Sequence, residues 1–168
     1  MSAPERTRLP FDPIEEAARQ WGNHWDEMPR MRAVTSLMRV HQLVLTELDE
    51  LLRPLGLTFA RYEVLVLLSF SRRGALPLGK IGERLQVHAT SVTPLVKRLE
   101  AADLIKRTPH PEDGRAVLAS ITPNGRLVMD QATELIVGAR FALGALSDDE
   151  CDRLTRLLTS PRKAAGDF

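Results

Sequence analysis

The sequence predicts a mostly α-helical protein with a small β-hairpin wing, a winged helix-turn-helix domain with further helices before and after it. Three observations predict this. Apolar residues recur at spacings of three and four across residues 26–52 and again across 123–143. Between them, two short helical patterns occupy 78–102. A basic apolar strand, a Pro-Glu-Asp-Gly-Arg turn and a second apolar strand then complete the run PLGKIGERLQVHATSVTPLVKRLEAADLIKRTPHPEDGRAVLASITPN, from Pro77 to Asn124.

Each element has its own signal. Residues 1–11 hold two prolines and several charges without a period, the composition of an arm. Asp12 followed by Pro13 reads as an N-cap and first helical position for a short helix through Trp21, closed by Gly22 and Asn23. From Asp26 to Leu52, residues Met31, Val34, Leu37, Met38, His41, Val44, Leu45, Leu48, Leu51 and Leu52 predict a long helix with one wide buried stripe. Arg53-Pro54-Leu55-Gly56 breaks it, and Thr58 is placed to cap the next helix, whose Val64 to Leu68 run is apolar on most sides.

Ser71 to Leu76 reads as a basic loop. A short helix follows from about Leu78 to Leu85, a turn over Gln86 to His88, and a helix from about Ala89 to Ala102 with Val92, Leu95, Val96 and Leu99 on its inner face. Leu104 and Ile105 begin a strand, and Ala116 to Ile121 alternates as its antiparallel partner. The intervening Thr108 to Arg115 has the prolines and Asp-Gly of a hairpin tip. Pro123 and Asn124 open a helix that Gly144 stops. Ser147 and Glu150 form a capping box for a last helix ending before Pro161.

Composition narrows the function. At 168 residues and 43% apolar content the chain can bury one core. Its net charge of +1 conceals a basic centre: residues 72–115 carry nine Lys/Arg against five Asp/Glu, whereas residues 1–30 carry four against six. That sign suits phosphate binding. The single cysteine, Cys151, excludes an internal disulfide framework, and His24, His41, His88 and His110 lack metal-ligand spacing. With no signal-peptide core and no apolar run of membrane-spanning length, the expectation is a cytoplasmic protein that does not enter a membrane. No Gly-rich phosphate loop, GxSxG or HExxH motif is present, so neither an enzyme nor a cofactor is expected.

A helix-turn-helix suits DNA because a helix fits the major groove, where base edges show a readable pattern of donors, acceptors and methyls. Thr90, Ser91 and Thr93 offer short polar groups, and Lys97 and Arg98 suit phosphate or guanine. A solvated helix face would show the same composition; the flanking hairpin favours DNA. His88 reads as an N-cap or phosphate contact, or simply a turn residue. Pro94 falls inside the reading helix, where a missing N–H predicts a local kink or a non-α first turn.

From about Met31 to Pro161 the chain resembles the MarR family of winged-helix transcriptional regulators. The resemblance rests on LTFARYEVLVLL, on IGERLQVHATSVTPLVKRLEAADLIKR, on Asp113-Gly-Arg115 as a D-x-R wing motif, and on ITPNG. It implies an arm and short helix over 1–25 and a winged-helix domain over 26–165, with the helix-turn-helix at about 78–102, the wing at about 104–122, and dimerization helices at about 26–53, 123–143 and 148–160. It further implies a homodimer on palindromic double-stranded DNA, the recognition helices in consecutive major grooves and Arg115 of the wing in a minor groove, with Asp113 orienting basic groups. The expected DNA-binding set is therefore His88, Ala89, Thr90, Ser91, Thr93, Pro94, Lys97, Arg98, Arg107, Asp113 and Arg115.

Members of the resembled family bind small aromatic or phenolic effectors between the dimerization helices and the DNA-binding lobe. Trp25, Met38, His41, Phe59 and Tyr62 are the corresponding candidates. Core packing explains methionine and aromatic stripes equally well, and His41 reads as a core or interface histidine before it reads as an anchor. The expected function is a repressor released by a small aromatic ligand. The alternatives are a winged-helix protein-interaction module and an oxidant-sensing regulator acting through Cys151, although peroxide-sensing relatives place their cysteine near the first long helix, where this chain has none.

Overall fold

A computed structural model describes residues 9–110 and 116–168. The chain divides into two compact units, one ending at Thr46 and one beginning at Glu47. The first holds helix α1 (Pro13–Gly22) and most of α2 (Met28–Leu52). Asp12 caps α1 as expected, its carboxylate accepting the Ile14 N–H at 2.8 Å with Pro13 at the first turn. Between the helices, the Trp21 indole N–H donates to the Asp26 carbonyl at 2.8 Å, and Arg32 of α2 pairs with Glu15 of α1 at 3.1 Å.

The predicted stripe of α2 divides along its length. Only Leu48 and Leu52 are buried, whereas Val34, Leu37, Met38 and Leu45 are exposed, and so is His41. The stripe is present at the predicted spacing, but the expectation of one wide buried face holds only at its C-terminal end. His41 is exposed in the single chain, so the core reading of it does not hold.

The second unit contains α3 (Phe59–Ser69), α4 (Leu78–Leu85), α5 (Ala89–Ala101), α6 (Pro123–Gly138) and α7 (Asp148–Ala164), with strands β1 (Ala75–Pro77), β2 (Ile105–Pro109) and β3 (Val117–Ile121). Its core joins Val64, Leu65 and Leu68 of α3, Ile81 of α4, Val92, Val96 and Leu99 of α5, and Ala132 and Ile136 of α6. All are at most 1% exposed, so each larger side chain contributes about 1.5–3 kcal/mol of burial.

Several local expectations change. The basic loop contains a third strand: β1 pairs with β3, giving an antiparallel order β1-β3-β2 rather than a two-stranded hairpin. Three residues are too few to show a period, so the strand exists through its partner. Thr58 occupies the N-cap of α3, but the cap bond comes from elsewhere: the Phe59 N–H donates to the Asp49 carboxylate of α2 at 2.7 Å. α6 ends at Gly138 instead of running to Leu143, and Arg140, Phe141 and Ala142 follow with left-handed φ of 51–57°. α7 keeps its Ser147–Glu150 capping box and continues through Pro161 to Ala164.

Gly125 explains the ITPNG segment. A Cβ there would lie 2.0 Å from the Leu104 carbonyl oxygen, so only glycine lets α6 start against the end of α5. Thr122 secures the same junction: its hydroxyl accepts the Gly125 N–H at 2.9 Å and donates to the Asp103 carbonyl at 2.8 Å.

Candidate nucleic-acid interface

The helix-turn-helix is built from two helix ends of the same kind. α4 stops at Gln86, in the left-handed region with φ 55°, and the Val87 N–H returns to the Gly82 carbonyl at 3.1 Å. α5 stops likewise: Asp103 has φ 56° and the Leu104 N–H bonds the Leu99 carbonyl at 2.9 Å. These are Schellman-type closures made without glycine. They fix how α5 leaves α4 and how it hands the chain to the wing.

α5 has two faces, although Leu95, expected on the inner one, is only half-buried. Val92, Val96 and Leu99 are buried, while Thr90, Ser91, Thr93, Pro94, Lys97 and Arg98 are exposed. His88 is the N-cap, its Nδ1 accepting the Thr90 N–H at 3.3 Å and sharing a 2.8 Å hydrogen bond with the Thr90 hydroxyl. Ala89 opens the helix. The helix assignment runs from Ala89 to Ala101 through Pro94. Of the two expected effects, the first turn shows the tighter closure: the Ser91 N–H bonds the His88 carbonyl three residues back at 2.8 Å.

Arg107 sits on β2 with 32% of its side chain exposed, and its Nε donates to the Glu100 carboxylate at 2.6 Å. The Arg107 backbone N–H reaches the other Glu100 oxygen at 3.3 Å. One carboxylate on the recognition helix thus holds both main chain and side chain of the wing strand. Glu100 escaped sequence reasoning because a seven-residue separation across a helix end matches no helical or strand spacing. Asp113 and Arg115 lie outside the described residues.

The five effector candidates divide between the units, Trp25, Met38 and the exposed His41 in the first and Phe59 and Tyr62 in the second. In the first, Trp25 stacks at a tilt on Trp21 with ring centroids 4.9 Å apart and lines a shallow cavity with Arg19 and Met28. Met38 lines a different groove, of about 470 Å³, with Phe11, Thr35, Arg39 and Gln42. In the second, Phe59 and Tyr62 lie 6.0 Å apart by ring centroid, and the buried Tyr62 hydroxyl is hydrogen-bonded to Thr133 of α6 at 3.0 Å. Tyr62 also borders a cavity of about 240 Å³ with Met129 and Asp130. Cys151 is half-buried in the first turn of α7. Among the described residues, no His/Cys/Asp/Glu cluster has metal-binding geometry, and no helix is long and apolar enough to cross a membrane.

A three-stranded antiparallel sheet behind two helices in Schellman register, with one helix presenting a polar and basic outer face, defines a winged helix-turn-helix protein. The family model described as the MarR family matches residues 57–117. Over 137 residues the chain is 31% identical to the organic hydroperoxide resistance transcriptional regulator of Bacillus subtilis (strain 168), spanning 81% of this chain and 91% of that one. It is 30% identical over 132 residues to the HTH-type transcriptional repressor MdtR of the same organism, spanning 77% and 83%. A solved MarR family transcriptional regulator from Streptomyces coelicolor superposes with a TM-score of 0.78 at 50% identity, covering 83% of this chain and 97% of that one. A mutant MarR from E. coli complexed with operator DNA superposes with a TM-score of 0.69 at 26% identity, covering 81% and 98%. The chain belongs to the MarR family of transcriptional regulators, and is not an enzyme.

Proposed function

We propose that this protein is a homodimeric repressor that binds a palindromic double-stranded operator and leaves it when a small aromatic effector binds. The observation that carries the DNA reading is the division of α5: Thr90, Ser91, Thr93, Pro94, Lys97 and Arg98 are exposed, all but Pro94 polar or cationic, over buried Val92, Val96 and Leu99. The similarity to a relative solved with operator DNA supports the same reading. In it, Thr90, Ser91 and Thr93 meet base edges, Lys97 and Arg98 meet phosphate or guanine, and Asp113 and Arg115 serve the wing.

The dimer reading is supported by exposed apolar side chains on the helices outside the winged core, among them Val34 and Met38 of α2 and Leu157 of α7, the last 73% exposed. A pair of recognition helices held at one spacing would read two half-sites. For an aromatic anion as effector the candidates are Trp25, Met38 and His41 in the first unit and, separately, Phe59 and Tyr62 in the second, where Tyr62 borders the cavity with Met129 and Asp130. Such a ligand must bind the DNA-incompatible conformation more tightly, by about 1–3 kcal/mol of coupling.

The test is fluorescence anisotropy with DNA from upstream of the protein's own gene, titrated at several salt concentrations. The expected result is binding that weakens steeply with salt, with Thr93→Ala reducing discrimination between sequences and Lys97→Ala lowering the salt slope by about one. Salt-insensitive or absent binding at low ionic strength overturns the reading. For the effector, an aromatic acid that raises thermal stability must also release DNA; one that stabilises without release is not the effector.

A further inference from the structure

A cluster of arginines lies at the Ile121 end of the sheet. The turn Ser71–Gly74 is closed by the Gly74 N–H donating to the Ser71 carbonyl at 3.0 Å, and Gly74 takes the left-handed φ of 60° that the turn requires. It is tied down on both sides. The Ser71 hydroxyl donates to the Leu68 carbonyl at 2.8 Å, and the Gly74 carbonyl accepts the Ile121 N–H at 3.0 Å. The two central positions of this anchored turn are Arg72 and Arg73, both exposed.

Arg84 of α4 joins them around a cleft of about 390 Å³ whose remaining wall includes Leu76 and Phe70. Phe70 is 83% exposed, the largest exposure of any aromatic side chain described. A fourth arginine lies against the same turn, since a Cβ built on Gly74 would come within 2.7 Å of an Arg126 Nη. Among the described residues none of the four arginines forms an ion pair, and no carboxylate lines the cleft. Holding like charges together without counter-charge costs free energy, so a cluster on a rigid turn is arranged for an anion brought from outside.

Register places the turn at one end of the sheet. Ala75 pairs with Ser120 and Pro77 with Leu118, while β2 and β3 pair from Ile105 with Ile121 as far as Pro109 with Val117. The turn therefore lies at the Ile121 end of β3, away from Val117. We infer that this cleft is a binding site for a phosphate monoester carrying a planar ring. Planar guanidinium forks match phosphate oxygens two at a time, and the uncovered Phe70 ring offers a stacking face beside them. The volume lies in the range of small-molecule sites. Because Arg84 is on α4, two residues before the turn that launches α5, occupancy is placed to be felt by the recognition helix.

Adenosine monophosphate is the probe, measured calorimetrically on the full-length protein without DNA, so the outcome is independent of the operator reading. The expected result is saturable binding with a sub-millimolar Kd, about tenfold tighter than inorganic phosphate, and no binding of adenosine. Arg73→Ala with Arg84→Ala should abolish it. Phe70→Ala, which truncates an exposed ring, should weaken adenosine monophosphate to the level of inorganic phosphate while leaving phosphate itself unchanged. Absence of saturable binding overturns the inference, as does binding that is indifferent to these substitutions. It is equally overturned if a polyglutamate peptide binds more tightly, which marks a protein-docking surface, or if the double arginine variant lowers the salt slope of DNA binding, which marks a backbone contact.

Discussion

Glu100 on the recognition helix grips Arg107 on the first wing strand twice, through side chain at 2.6 Å and through main chain at 3.3 Å. Both side chains are about one-third exposed, so the ion pair itself contributes on the order of 1 kcal/mol or less. Its geometric effect is larger, because it couples the angle of the wing strand to α5, the helix proposed to read DNA. Glu100→Ala should lower thermal stability only slightly while weakening operator affinity severalfold. Equal affinity for both proteins in an anisotropy titration would show that the coupling is without consequence.

Gly125→Ala should be among the most damaging single-methyl additions in this chain. The added carbon would lie 2.0 Å from the Leu104 carbonyl oxygen, a backbone atom that cannot rotate away. Separating α6 from the end of α5 costs about 3 kcal/mol, as overpacking does. A urea melt should show a lower midpoint with an unchanged slope. An unchanged midpoint would mean that the junction is softer than its geometry requires.

Pro94→Ala should act in opposite directions on stability and on DNA. The substitution restores an N–H that can bond the Thr90 carbonyl inside an already continuous helix, and an interior proline costs up to about 3 kcal/mol. A rise in melting temperature is expected, together with altered operator affinity because Pro94 is exposed on the outer face. A lower melting temperature would show that the proline rigidifies α5 more than it strains it.

Glu63 supplies a pH dependence. It sits half-buried on α3 and burial pushes its carboxyl pKa above the usual 4.5. A carboxyl whose folded pKa exceeds its unfolded value favours folding at low pH, and that benefit is lost as pH rises from the unfolded to the folded pKa. Glu63→Gln should therefore stabilise the protein at pH 7, with the gain shrinking as pH falls towards 4. A gain independent of pH would trace to packing instead of charge.

The sequence by itself determined the helix-turn-helix, the outer face of α5, the His88 and Ser147 caps and the helix start at ITPNG. Those features arise from local periodicity and from residues whose chemistry acts within a few positions of the chain. Tertiary structure decided what depends on partners distant in sequence. β1 exists because β3 pairs with it; Asp49 caps α3 from ten residues away; Arg107 is held by Glu100; and Arg72, Arg73, Arg84 and Arg126 come from three elements to one turn. It also decided that half of the predicted α2 stripe stays exposed, because a periodic pattern marks which face is apolar and leaves open what covers it.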